Sequence, residues 1–408
     1  MSTLAIAPAR AAVYRLLRER FAPLFAAIAR DAAHRDDTRE LPFDEIAALK
    51  VAGFGTLLVP EDDGGLGGSI EDLTRLLIDL AAADPNIAQA FRGHFHAVHG
   101  VVRSPDSEYR RRLLAAVTAG DLIANGVTDT PGTPLGGSSV TLRRSADGTA
   151  RLSGRKEYST GNLYADWILV IVAKGDASPE VVIVPADAAG VSREDTWNGF
   201  GQKLTATGAT NFHDVLIEAW QIAPVASDAR DGDLLQLVLL AVTAGIARRT
   251  SDDLAGEVRR RRRVYAHGAA DTVQADPQIL QIVGEVAAAA AAAEAIVVDV
   301  ARRHDALFAD DPDGEPHDDR AVTAATYQAQ TVVPRLVTDA AGRAFDALGA
   351  SALDRTLALD RHWRNARTIA SHNPIVYRSR LVGDWLVNGE LDSRWSVGAV
   401  PPPKGTTP

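Results

Sequence analysis

The spacing of apolar residues changes period twice along this chain, and that double switch restricts the fold more than any other feature. Up to about residue 120 the spacing is helical, as in Ala11, Tyr14, Leu17 and Phe21, or Leu73, Leu76, Leu77 and Leu80. From about 121 to 225 it gives way to short β-branched and aromatic runs bounded by Gly and Asp, at 151–160, 166–173, 181–184 and 210–217. Helical spacing then returns over about 232–265, 277–308, 320–349 and 355–388, long enough for a four-helix bundle. The spacing predicts helices, then a small sheet or barrel, then helices, in units at 1–120, 121–225 and 226–408. A chain of 408 residues has the length for two or three such units.

Composition narrows the function. The net charge of −10 argues against nonspecific nucleic-acid binding, and the absence of cysteine excludes disulfides, thiolate catalysis and Cys-ligated metals. Met1 to Arg10 lack the basic start and apolar stretch of a signal peptide. No run approaches the ~20 apolar residues that cross a bilayer, and Ala287 to Ala293 reads as tightly packed helix. A soluble, cytoplasmic protein is expected, with an acidic, Pro-containing surface loop at 310–319.

Three motifs, in order, carry a resemblance. Gly53-Phe-Gly-Thr-Leu-Leu-Val-Pro60 leads into Gly64-Gly-Leu-Gly67; Lys156-Glu-Tyr-Ser-Thr-Gly161 precedes Ala165-Asp166; Gly201-Gln-Lys-Leu-Thr-Ala-Thr-Gly208 precedes Phe212-His-Asp-Val215. Together they resemble the acyl-CoA dehydrogenase superfamily. The resemblance implies a mainly α fold with an inserted β-domain: an N-terminal helical domain, a central β-barrel and a C-terminal four-helix bundle. Arg367-Thr-Ile-Ala-Ser-His-Asn-Pro374 resembles the branch of two-component flavin-dependent monooxygenases, whereas a Tyr-Glu-Gly-Thr-like loop carrying a basic Glu is absent from the region. That branch implies reduced FMN delivered by an NAD(P)H-dependent flavin reductase, dioxygen, a small, largely apolar substrate, and a homotetramer. The alternatives are an FAD-dependent acyl-CoA dehydrogenase and a non-catalytic helical assembly protein on the same fold.

Candidate site residues follow from these motifs. Pro374 biases Asn373 away from helical geometry, so Asn373 suits an N-cap with Pro374 at the first helical position. His372 would then lie beside the positive end of a helix, suited to stabilising a flavin–oxygen adduct; the alternative is a kink whose His satisfies a buried carbonyl. In Arg92-Gly-His-Phe-His-Ala-Val-His99 a helix turns about 100° per residue, so His94, His96 and His99 diverge rather than share a metal. The resemblance implies that one of them faces the flavin, with His94 the best match and His96 second. It also implies a hydroxyl from Ser159 near the reactive edge of the ring. Asn125 offers an amide to the ring's polar rim and Thr128 a hydroxyl, although both types also satisfy turns. Trp197 is a candidate for packing on the ring, or else a core residue. The run Arg259 to Arg263 wraps more than one helical turn, so few of its members can face one ligand. The resemblance implies a flavin-phosphate contact from Arg261 or Arg263, across a subunit boundary, and a flavin or turn-locking role for Arg367.

Overall fold

The computed structural model describes residues 3–146, 148–174, 177–224, 229–307, 319–392 and 398–399. The acidic stretch expected to form a loop at 310–319 lies almost wholly outside the described residues.

The N-terminal part is helical: α1 (Thr3–Thr38), α2 (Phe43–Val51), α3 (Ile70–Ala83), α4 (Pro85–Ala90), α5 (Arg92–Arg103) and α6 (Glu108–Thr118). α3 begins on a reciprocal cap, in which the Asp72 amide donates to Ser69 Oγ at 3.1 Å and the Ser69 amide donates to Asp72 Oδ2 at 3.0 Å. Its next two amides, Ile70 and Glu71, donate to the Asp305 carboxylate at 2.7 and 2.9 Å, so a distant acid completes the helix start. The glycine-rich link before it is needed sterically. A Cβ on Gly65 would stand 2.1 Å from the Val59 carbonyl oxygen.

Nine strands follow among the described residues: β1 (Ile123–Gly126), β2 (Thr128–Asp129), β3 (Val140–Arg144), β4 (Ala150–Ser159), β5 (Trp167–Lys174), β6 (Ala177–Pro185), β7 (Val191–Arg193), β8 (Gly208–Ile217) and β9 (Ile222–Pro224). They form two sheets, β1-β5-β6-β9 and β2-β4-β8-β7 with β3 also on β4. Among the strand pairs of the described residues, β1–β5 is parallel and the others are antiparallel. Inward residues of both sheets, among them Leu152, Val170, Val182, Phe212 and Val215, share one apolar core. The central unit is therefore two packed sheets.

The remaining helices are α7 (Ala229–Arg260), α8 (Pro277–Leu307), α9 (Asp319–Leu348), α10 (Asp360–Ala370) and α11 (Arg378–Asn388). α7, α8 and α9 pack on one another and α3 joins them, so the largest core runs through both helical parts. α7 and α8 are each long and apolar enough to cross a bilayer, which the sequence reading did not anticipate. The apolar window of α7 is 78% buried inside the fold, as befits a core helix. α8 differs: Ala290 and Ala293 are buried, but Ala287, Ala288, Ala291, Ala292 and Ala295 form an exposed small-residue face, so the expected tight packing holds on one side only.

The expected helix 355–388 is in fact two. α10 stops at Ala370, and a single 3-10 turn, Ile375–Tyr377, leads into α11. Pro374 breaks the helix as anticipated, yet it precedes the 3-10 turn, and Asn373 caps nothing. α10 is fastened to two other parts of the fold by adjacent residues. Arg364 Nη2 donates to Asp36 of α1 at 2.6 Å and its Nη1 to the Phe200 carbonyl at 3.0 Å; the Gln202 amide donates to Asn365 Oδ1 at 2.6 Å.

Candidate active site

α4 and α5 run almost continuously past the end of β4 and over β1, and the turn after α10 closes on them. Gly93 makes this approach possible, since a Cβ there would lie 2.9 Å from Asn125 Oδ1 and 3.0 Å from the Asn125 amide nitrogen. Gly161, just past β4, comes equally near the Ala90 carbonyl. Asn125 thus packs on α5 one residue past Arg92, Gly161 brings the end of β4 against α4, and His372 joins α5 through Arg92.

His372 is held by side chains. Arg92 Nη1 stands 3.1 Å from His372 Nε2 and can only donate, so Nε2 carries the lone pair. The ring proton is then on Nδ1, which donates to Asn373 Oδ1 at 3.0 Å. Asn373 Nδ2 donates onward to Gln236 Oε1 on α7, which also accepts from Gln330 Nε2 of α9 at 2.9 Å. Desolvation, then the neighbouring Arg92 charge, hold the imidazole neutral, far below the usual histidine range. The residue as a whole is nevertheless exposed in the single chain, while both ring nitrogens are tethered.

His94 is held differently. Only 1% exposed, it donates from Nε2 to the Gly55 carbonyl at 2.8 Å and accepts at Nδ1 from the Ile123 amide at 3.2 Å. Burial pushes its pKa down to about 4. Both nitrogens are committed to backbone, so the expected flavin-facing role gives way to a structural one, a pin between α5, β1 and the Gly53–Pro60 link. His99 is buried and lies near His304 of α8, whose pKa is lowered by burial first and by His99 second, and His96 is half-buried.

Other expected contacts also shift. Asn373 links His372 to Gln236 rather than capping a helix. α7 ends at Arg260, so the remaining arginines are not helical. Arg261 is drawn to the Leu348 carbonyl and is unavailable as a free phosphate clamp, while Arg263 is exposed beyond the helix. The Arg367 side chain is exposed on the outer face of α10, and only its carbonyl meets the turn, accepting from Ser371 Oγ at 3.0 Å. Thr128 is exposed on β2. Trp197 is half-buried; its Nε1 donates to the Gly201 carbonyl at 2.9 Å and its ring meets Tyr158 edge-on, with centroids 6.3 Å apart.

The fit to a flavin rests on orphaned polar atoms. Buried Gln89 Oε1, Asn125 Oδ1 and Ser159 Oγ have no hydrogen-bond partner among the described residues. Buried polar atoms are normally paired, and these unpaired ones on α4, β1 and β4 suit a polar-rimmed ligand carrying N–H and carbonyl groups. The isoalloxazine ring carries both kinds of group, and these residues fit it. Gln89, Arg92 and Gln236 escaped the sequence reading. The signal available was the spacing of Gln89 and Arg92, three apart in the otherwise apolar Ile87-Ala-Gln-Ala-Phe-Arg92, which puts both polar groups on one helical face.

Comparison with known proteins agrees with this layout. Residues 9–121, 126–215 and 237–376 match, respectively, the N-terminal, middle and C-terminal domains of acyl-CoA dehydrogenase. The chain is 26% identical over 370 residues to a probable FMNH2-dependent monooxygenase, SfnC, of Pseudomonas putida, covering 88% of this chain and 92% of that one. It is 24% identical over 375 residues to dibenzothiophene monooxygenase of Rhodococcus qingshengii, covering 88% and 90%. The crystal structure of FMN-bound TdsC from Paenibacillus sp. A11-2 superposes with a TM-score of 0.85 at 26% identity, over 92% of this chain and 98% of that one. With all three domains matched in order and the same architecture throughout, the chain belongs to the acyl-CoA dehydrogenase family.

Proposed function

We propose that the chain is the oxygenase of a two-component flavin monooxygenase, working in the cytoplasm on reduced FMN from an NAD(P)H-dependent reductase. The observation that carries this reading is the company His372 keeps. The groups gathered around it are amides, a hydroxyl and a guanidinium, with the imidazole in a defined neutral tautomer. A dehydrogenase would need a carboxylate to take a substrate proton, and none stands among these residues. The FMN-dependent relatives support the same choice over FAD.

Reduced FMN, when bound, supplies two electrons, so that one atom of dioxygen enters the substrate and the other leaves as water. The chain's part is to bind, orient and keep water out. Ser159 Oγ and Asn125 Oδ1 would hold the ring's polar groups, and Trp197 would pack against it. His372 holds a proton at Nδ1, shared with Asn373 Oδ1, and would stand beside the reacting centre. Asn373 fixes that tautomer. Thr128, Arg263 and Arg367, exposed in the single chain, contribute across a subunit boundary in a homotetramer, for which the bare alanine face of α8 provides a close-packing surface.

Stopped-flow mixing of the reduced-FMN complex with oxygenated buffer tests the proposal. A transient adduct absorbance is expected before the flavin reoxidises. Single-phase reoxidation at saturating reduced FMN, together with bleaching by acyl-CoA esters under nitrogen, would assign the chain to the dehydrogenases instead.

A further inference from the structure

Arg92 is a buried cation without an anion. It is 5% exposed, and its hydrogen-bond partners among the described residues are neutral: the Leu235 carbonyl, 3.0 Å from Nε, and His372 Nε2. Nothing among the described residues accepts from Nη2. Desolvation alone lowers its pKa, to about 10, with no neighbouring acid acting against it. The other deeply buried arginines are provided for. Arg35 meets Glu45 and Asp84, Arg361 meets Asp253, and Arg378 lies 3.9 Å over the Tyr327 ring. A guanidinium is always charged, and burying it unpaired is costly unless something else completes it.

The position of Arg92 says what that something is. Gln89 lies three residues before it and Asn125 packs on the next residue, Gly93; Gln89 Oε1 and Asn125 Oδ1 are orphaned acceptors that want donors, and the flavin's N–H groups can serve them. Arg92 is the one charged donor there and wants an acceptor carrying negative charge. Its bond to His372 also places that acceptor beside the imidazole. We infer that Arg92 is the substrate-binding residue of this site and that the substrate carries a small oxyanion, a carboxylate or sulfinate. The guanidinium grips the oxyanion through its free donors and sets the rest of the molecule against the flavin. The expectation of a largely apolar substrate is thereby refined: an apolar body with an anionic head.

The inference rests on the monooxygenase reading for the chemistry but not for the binding, so the two can fail separately. Butyrate and propane-1-sulfinate are titrated calorimetrically into the full-length chain, with and without saturating FMN, beside butyramide as a neutral partner of butyrate's size. At least one anion is expected to bind about 10- to 100-fold more tightly than the amide, the range of a charged hydrogen bond. Arg92→Met should abolish that preference, with FMN affinity falling far less than anion affinity. Arg92→Lys keeps the charge but not the fork; it should keep the preference in weakened form, and it serves as the second variant should the methionine substitution fail to fold. Equal binding of amide and anions, no binding of either anion, or a loss of FMN affinity with anion binding spared would each overturn the assignment. If the anion preference holds but the chain gives no oxygen adduct, the substrate class stands and the monooxygenase proposal falls.

Discussion

The seam between α5 and β1 holds its histidine with backbone, whereas the turn after α10 holds its histidine with side chains. His94 is pinned by the Gly55 carbonyl and the Ile123 amide, groups that cannot move without moving the chain. His372 is tied to Arg92 and Asn373, whose torsions can change when a ligand arrives. The first arrangement makes an imidazole part of the scaffold, and the second leaves it free to exchange partners during a reaction. Sequence proximity to a glycine-rich motif or to a proline does not separate the two cases. What each ring nitrogen touches does.

The contrast can be broken by experiment. The largest effect is expected from His372→Ala, which should cut product formed per reduced flavin by about 10³-fold, the scale of a positioned acid–base group, with little change in melting temperature. Measured oxygen transfer against peroxide release decides this, and an unchanged ratio would make the two histidines equivalent after all. His94→Ala should do the reverse. It strands a buried carbonyl and a buried amide at about 1–3 kcal/mol each, seen as a fall in urea midpoint, while the folded fraction keeps its coupling.

Acid sharpens the same distinction. His94 has a folded pKa of about 4, below the ordinary 6.5, so the unfolded chain binds the extra proton. Its stabilising contribution is complete above pH 6.5 and is lost as pH falls toward 4, by about 2 kcal/mol at pH 5. His94→Asn, which keeps an acceptor for Ile123, should flatten that part of the stability profile; a profile as steep as the wild type's would show that the ring does not refuse the proton. The smallest effect belongs to Ser159→Ala. Deleting a buried hydroxyl that has no partner should leave thermal stability within about 0.5 kcal/mol. If the hydroxyl meets the flavin, reduced-FMN affinity should fall about tenfold, the worth of one hydrogen bond.

Much of the architecture was legible because it depends on local spacing. The helices anticipated at 232–265, 277–308 and 320–349 occur at Ala229–Arg260, Pro277–Leu307 and Asp319–Leu348. Strand runs such as 210–217 reappear within β8. The ends were harder to see, because they answer to distant groups. Arg261 was read as a helical phosphate ligand, but the helix stops at Arg260 and the Leu348 carbonyl, 87 residues away, draws the side chain in. The candidate site stood out in the sequence where a motif marked it, as at the proposed residues His372, Asn125 and Ser159. It was illegible at Arg92, because an arginine at the head of a histidine-rich helix looks solvated until packing shows it buried without an acid. His94 misled for the complementary reason: nothing in the neighbouring residues predicts that two peptide groups from other segments occupy both its nitrogens.

The fastening of α10 carries a consequence for how the molecule fails. Residues 364 and 365 clasp α1 on one side and the 200–202 segment on the other, and the His372 turn hangs from the free end of that helix. Any loosening of those clasps lets the turn swing before a single long helix has melted. Gradual denaturation should therefore silence the enzyme while its helical signal is still intact, with a productive oxygenase decaying first into a wasteful consumer of reductant.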